Sequence, residues 1–388
     1  MKKKWLALLS CALLFGSAAA ALAGTDEETL GQRLYFDQHL SLNQNQSCAS
    51  CHLPDAGFAD PLNVLDPWNS VVSLGSDVTL NGGRNSPTSG YAAFIPAFGF
   101  DDAEGLYFGG QFWDGRADTL KDQAKGPFLN PVEMAMPDAA AVIAAIADPA
   151  NKNYKQYVKL FASVYGIDLT TLDLSDPDQV LNAYDKTAQA IGVFEQSSRF
   201  VKFNSKFDYY LAGQAKLTAQ ELNGLALYEG KAMCSACHPS AATINPDGTI
   251  VPPLFSDFTY DNLGIPKSEN PLIADLPIDL GLGGRPGYET EMGKFRVSSL
   301  RNIAFTPPYG HNGYFATLAE IVHFYNTAGD GTWPAPEVAE NVNRDELGNL
   351  GLTPQEEADL VAFLMTLSDG YKDKTPANFV LPPMTPLN

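Results

Sequence analysis

The chain has 388 residues, 45 acidic against 25 basic side chains and five cysteines, which is enough length for two domains with their own hydrophobic cores. A formal charge of −20 repels phosphate, and no Lys/Arg-rich stripe exists beyond Lys2, Lys3 and Lys4, so nucleic acid is not an expected partner. Aliphatic and aromatic residues are abundant, and 33 Gly and 27 Pro are spread between periodic segments, which excludes disorder and describes a loop-rich globular protein.

The basic start leads into an apolar run over residues 5–22 that ends Ala21-Leu22-Ala23, the pattern of a secretory signal peptide over residues 1–23. Cleavage before Gly24 leaves 22 basic and 45 acidic residues, a net −23, and a periplasmic mature protein is expected. A retained membrane anchor fits less well, because the polar stretch Gly24-Thr25-Asp26-Glu27-Glu28 has no basic flank, and Cys11 inside the apolar run makes a poor lipoprotein site. After signal cleavage no membrane span is expected, since the longest obvious apolar run, residues 139–147, is too short to cross a bilayer.

In chain order, a helix-like segment ends in Gly31-Gln32-Arg33-Leu34-Tyr35 and is followed by Cys48-Ala49-Ser50-Cys51-His52. A Gly/Pro-rich loop occupies residues 55–103, and helices are expected over 138–148, 152–165 and 178–197, the last with Leu181, Tyr184, Ala188 and Ile191 on one face. The opening pattern then returns. Thr218-Ala219-Gln220-Glu221 forms a capping box, its helix reaches Gly224-Leu225-Ala226-Leu227-Tyr228, and Cys234-Ser235-Ala236-Cys237-His238 follows. In the second long loop, residues 239–296, Gly281-Leu282-Gly283-Gly284-Arg285 lacks the strand and helix context of phosphate binding and reads as a turn. Thr353-Pro354-Gln355-Glu356 opens a final helix with Leu360, Phe363, Leu364 and Leu367 as its core stripe. Little reads as strand.

Four cysteines remain in the mature chain, and export would ordinarily pair them as disulfides. Their spacing argues otherwise: two complete C-x-x-C-H motifs leave no cysteine over. Two thiols at this spacing form thioethers to the vinyl groups of one haem, and the next residue presents an imidazole to its iron. Cys48, Cys51 and His52, then Cys234, Cys237 and His238, are therefore expected to hold two covalent c-type haems. The expected fold is mainly α, with two cytochrome c-like helical lobes over residues 24–203 and 204–388 and long Gly/Pro-rich loops.

Between and around these motifs lie Gly83-Arg84-Asn85-Ser86-Pro87-Thr88, Gln111-Phe112-Trp113-Asp114-Gly115-Arg116-Ala117, Gln123, Asn130-Pro131-Val132-Glu133-Met134, Ser299-Leu300-Arg301-Asn302 and Thr306-Pro307-Pro308-Tyr309-Gly310-His311. With the two C-x-x-C-H motifs, the chain resembles the bacterial di-haem cytochrome c peroxidase and MauG superfamily from about Leu30 to its last helix. The resemblance implies that the N-terminal haem meets peroxide and the C-terminal haem relays electrons. Splitting a peroxide O–O bond needs a proton delivered to the departing oxygen. By the match, Glu133 is the carboxyl that moves it, Gln123 orients peroxide or water, and Trp113 sits between the haems, where an oxidisable indole can carry a hole. Asn85, Thr306 and Pro308 match positions that give oxygen ligands to an inter-lobe calcium.

Two departures select a branch. Cytochrome c peroxidases carry a methionine fourteen residues beyond the position of His311, whereas Tyr325 stands there in this chain, as in MauG-type enzymes. A phenolate favours ferric or higher-valent iron, where a thioether raises the potential. Met292 and His323 are the alternative ligands. No histidine occurs between Leu74 and Arg84, where many di-haem peroxidases have one that closes the first haem, so an open first site is expected. Ala232, in contrast, stands where MauG has a surface tryptophan. The reading is an exported di-haem enzyme that uses hydrogen peroxide and oxidises a protein partner. Its alternatives are a peroxidase that detoxifies peroxide with electrons from a small redox protein, and a non-enzymatic di-haem electron carrier.

Overall fold

The computed structural model describes residues 25–244 and 250–371; the expected signal peptide lies outside them. The fold is mainly α. Helix α1 (Asp26–Tyr35) is capped by the Thr25 hydroxyl, with Asp26, Glu27 and Glu28 in its first turn, where carboxylates oppose the positive end of the helix dipole. The short α2 (Cys48–Cys51) carries the first motif, and α3 (Pro61–Leu65) interrupts the long loop after it. Helices α4 (Leu120–Leu129), α5 (Ala139–Ile146), α6 (Tyr154–Tyr165) and α7 (Pro177–Glu195) complete the first half. The three expected helices correspond to α5, α6 and α7.

On α7, Tyr184, Ala188 and Ile191 are buried but Leu181 is 58 % exposed, which corrects the expected face. The buried arc is centred one residue earlier, through Val180, Ala183 and Thr187, so Leu181 falls on its margin in the first turns.

The second half has α8 (Lys206–Leu211), α9 (Ala219–Glu229), α10 (Leu318–Thr327) and α11 (Pro354–Met365). The capping boxes expected at Thr218/Glu221 and Thr353/Glu356 are both formed, each of a kind worth about 1 kcal/mol. Leu360, Phe363, Leu364 and Leu367 are buried as expected. Within residues 281–285, Leu282–Gly284 form a short 3-10 turn. Among the described residues, strands contribute three antiparallel pairs: Gly99–Asp101 with Leu106–Phe108, Thr243–Ile244 with Ile250–Val251, and Tyr260–Asp261 with Phe295–Arg296.

One hydrophobic cluster runs from Leu30 to Phe200, and a second from Phe207 to Leu367. The repeated G-x-x-L-Y explains their likeness. A Cβ at Gly31 would collide with the Ala190 carbonyl of α7, and one at Gly224 with the Asp359 carbonyl of α11, so each glycine lets two helices cross closely. Each repeated tyrosine is fully buried and donates to the carbonyl of its motif histidine, Tyr35 to His52 at 2.7 Å and Tyr228 to His238 at 2.5 Å. An interior phenol needs such an acceptor.

Candidate functional site: two haem cavities and their shared wall

The first cavity, about 570 Å³, is lined by Cys48, Cys51 and His52 together with Gln123, Glu133 and Trp113. His52 points its Nδ1 at the Phe58 carbonyl, 3.2 Å away, which fixes a neutral tautomer with Nε2 free for a metal. Burial also holds its pKa below the usual imidazole value. Gln123 projects from α4, and Glu133 follows the turn after it. Burial raises the Glu133 carboxyl, while a 2.7 Å bond from Asn130 Nδ2 and the Arg116 charge pull the other way. Its backbone carbonyl accepts from Ser76 N at 2.6 Å, so the histidine-free segment is tied to the acid. Leu74, Gly82 and Gly83 of that segment reach the cavity wall.

The second cavity, about 250 Å³, is lined by Cys234, Cys237, His238 and Tyr325. His238 Nδ1 lies 2.8 Å from the Phe255 carbonyl, repeating the first arrangement. Tyr325 comes from α10. Burial, reinforced by the neighbouring Cys234 and Cys237 sulfurs, pushes its phenol up, so an anionic oxygen here requires a cation beside it. Neither Met292 nor His323 lines this cavity; the His323 side chain is 53 % exposed and pairs with Glu357 at 3.0 Å. Ala232 lines the cavity and is 2 % exposed, so its position is an interior one.

Trp113 and Asn85 line both cavities. The indole donates to the Asn85 carbonyl at 2.8 Å and meets Phe295 edge-on at 6.4 Å; Phe295 in turn stacks on His311 at 3.8 Å. Asp114, next to Trp113, binds Arg84 at 2.8 Å, and Arg84 reaches Asp279 at 2.5 Å, clamping three chain segments around the wall. Asn85, Thr306 and Pro308 all line the second cavity. The Asn85 Nδ2 is committed to the Val71 carbonyl at 3.1 Å, leaving its amide oxygen to serve a hard cation. Among the described residues, the one cluster of acidic and sulfur ligands within 4.8 Å is a different one, Cys237, Asp261 and Glu346.

These features fit haem at both sites. Each cavity has two unpaired thiols at its edge, a half-buried imidazole whose Nδ1 is engaged by a backbone carbonyl, and a lining with much apolar surface.

Two cavity residues escaped the sequence reading. Glu195 is 5 % exposed, lines the first cavity and has a buried Oε2 without a partner; burial raises its carboxyl to about 8. Its signal was present, an acid four residues beyond Ile191 within the apolar arc of α7. Arg296 is 7 % exposed and lines both cavities. It ends the segment expected as a long loop but lies in the short strand Phe295–Arg296, and no local pattern announces its burial.

Comparison with known proteins agrees with this geometry. A family model described as di-haem cytochrome c peroxidase matches residues 25–216. The methylamine utilization protein MauG of Paracoccus denitrificans is 40 % identical over 376 residues, 91 % of this chain and 92 % of that protein. The cytochrome c551 peroxidase of Nitrosomonas europaea is 30 % identical, over 94 % of this chain and 84 % of its own length. The crystal structure of the diheme peroxidase BthA from Burkholderia thailandensis superposes with a TM-score of 0.74 at 31 % identity, covering 89 % of this chain and 86 % of that one. The chain belongs to the di-haem cytochrome c peroxidase and MauG family and is a peroxide-dependent di-haem oxidoreductase.

Proposed function

We propose that hydrogen peroxide is used at the His52 cavity and that the oxidising equivalents are shared with the His238/Tyr325 cavity through Trp113, in the MauG manner, to oxidise an exported protein partner. Haem iron, bound at each histidine, supplies the redox chemistry. The chain supplies the rest. Glu133 passes a proton from the near to the far oxygen of peroxide, a role suited to a carboxyl raised by burial. Gln123, whose amide both donates and accepts, orients the peroxide beside it. Tyr325 ligates the second iron through oxygen. Trp113, held by its bond to Asn85, carries the hole between the sites, and Asn85, Thr306 and Pro308 bind calcium against the same wall. The lobes divide near residue 203, and the mature protein works in the periplasm after loss of residues 1–23. No helix among the described residues is long and apolar enough to cross a membrane.

The observation that carries this reading is the shared wall, with one indole lining both cavities. The test is stopped-flow mixing of the all-ferric protein with peroxide. Both haem spectra are expected to change together, without prior reduction. A response that appears only after one-electron reduction, followed by turnover with a small reduced redox protein, would instead identify a detoxifying peroxidase.

A further inference from the structure

Three arginines are deeply or largely buried around the haem cavities and the adjoining core, and two have ordinary partners. Arg301 forms a fork with both oxygens of Asp208 at 2.8 and 2.9 Å, and Arg84 binds Asp114 and Asp279. Arg296 has none. Its Nε reaches the Phe112 carbonyl at 3.3 Å and its Nη1 the Val297 carbonyl at 3.4 Å, both at the long end for hydrogen bonds to a cation. The Phe258 ring lies 6.0 Å away. Tyr260 is the nearby ionisable group, and its hydroxyl donates to the Gly109 carbonyl at 2.6 Å, so it is a neutral donor and not a counter-charge. Among the described residues, no carboxylate is set against this buried guanidinium.

A buried cation without an anion is costly, and burial lowers the Arg296 pKa to about 10 even with Tyr260 pulling the other way. The missing anion must enter with something the chain binds. Arg296 lines both cavities, and the carboxylates that a covalently attached haem brings with it are its propionates. A planar fork with donors on both edges matches carboxylates in geometry as well as charge.

We propose that Arg296 is a shared carboxylate site that holds one propionate from each haem. The inference rests on haem occupying both cavities. It makes the guanidinium an electrostatic link between the two redox centres, complementary to the Trp113 route: removing its charge shifts both irons, because each loses the same neighbouring cation.

The test uses the haem-loaded protein, with intact mass confirming two haems in each sample, so that a failure of haem attachment is seen separately from a failure of the Arg296 assignment. Resonance Raman spectra report the propionate bending bands, and spectroelectrochemical titration reports the two midpoints. Arg296→Gln is expected to shift the propionate bands of both haems and lower both midpoints. Arg296→Lys keeps the charge without the fork; it should shift the bands while holding the midpoints closer to wild type. Unchanged bands and midpoints with two haems present, or changes confined to one haem, would overturn the proposal. Should Arg296→Gln fail to accumulate, a crystal structure of the loaded wild type decides: a propionate of each haem on the guanidinium supports it, and a chloride or a single propionate there rejects it.

Discussion

In the first half α1 crosses α7 at Gly31 and presents Tyr35 to the His52 carbonyl; in the second α9 crosses α11 at Gly224 and presents Tyr228 to the His238 carbonyl. Beyond that shared frame the cavities diverge. The first is the larger and holds Glu133, Gln123 and Glu195. The second is narrower and holds Tyr325 among aliphatic side chains such as Leu318, Ile321 and Val322. The repeated part therefore builds the frame around each motif histidine, while α4, the end of α7, the loops and α10 supply the side chains in which the cavities differ. The first cavity offers carboxyls and an amide, whereas the second offers a buried phenol beside Asp261 and Glu346.

If that division is right, a proton-carrying residue should matter for only one cavity. Glu133→Gln preserves size and removes the transferable proton. Stopped-flow kinetics should show the peroxide reaction slowed by about 10²–10⁴-fold, with both haems retained and the spectrum of the second unchanged. An unaltered rate would return Glu133 to the status of a wall residue.

The reciprocal change tests the second cavity. Tyr325→Phe keeps the ring and removes the ligand oxygen, so the ferric electron paramagnetic resonance spectrum should lose a six-coordinate low-spin component. Peroxide would still react at the first site, but the long-lived state spread over both haems should disappear. A surviving low-spin signal would mean a different ligand, although His323 is turned outward to Glu357 and Met292 is absent from the cavity lining.

The shared frame can be broken in either half separately. Gly31→Ala and Gly224→Ala each place a methyl against a backbone carbonyl of the crossing helix. Overpacking of this kind costs about 1–3 kcal/mol. Thermal unfolding followed at haem bands should show each substitution destabilising its own half, with a smaller effect on the other. Equal and global losses from both would show that the halves unfold as one unit.

What the sequence disclosed follows the range of the interactions. Cysteine spacing and capping boxes are local, so Cys48/Cys51, Cys234/Cys237, Thr218/Glu221 and Thr353/Glu356 could be read directly. The repeat made the pairing of α1 and α9 visible, although nothing local said that its glycines face Ala190 and Asp359. Leu181 was misplaced because four residues on one helical face define an arc only to within a residue or so. The wall was the hardest part. Asn85, Trp113 and Arg296 meet from segments far apart in the chain, and burial of Arg296 without an acid becomes visible only when those segments are assembled.

Glu195 offers the finest test of the comparison, because the second cavity lining includes no buried unpaired carboxyl to match it. In the folded protein its carboxyl is raised from 4.5 to about 8 by burial. Between those values the folded state keeps a proton that the unfolded state releases. Folding therefore binds protons, and stability falls as pH rises through this window. The contribution is fully present below about pH 4.5 and lost above about pH 8, a change of at most a few kcal/mol. The groups around α7 do not cancel it: Tyr35 is a neutral donor to the His52 carbonyl, and Lys121 and Lys125 are paired with Asp185. Glu195→Gln should unfold at nearly the wild-type temperature at pH 5 and at a higher one at pH 9. Parallel wild-type and variant profiles across that range would mean that the bound haem supplies Glu195 with a partner and restores an ordinary carboxylate. The first cavity would then lose one of the features that set it apart from the second.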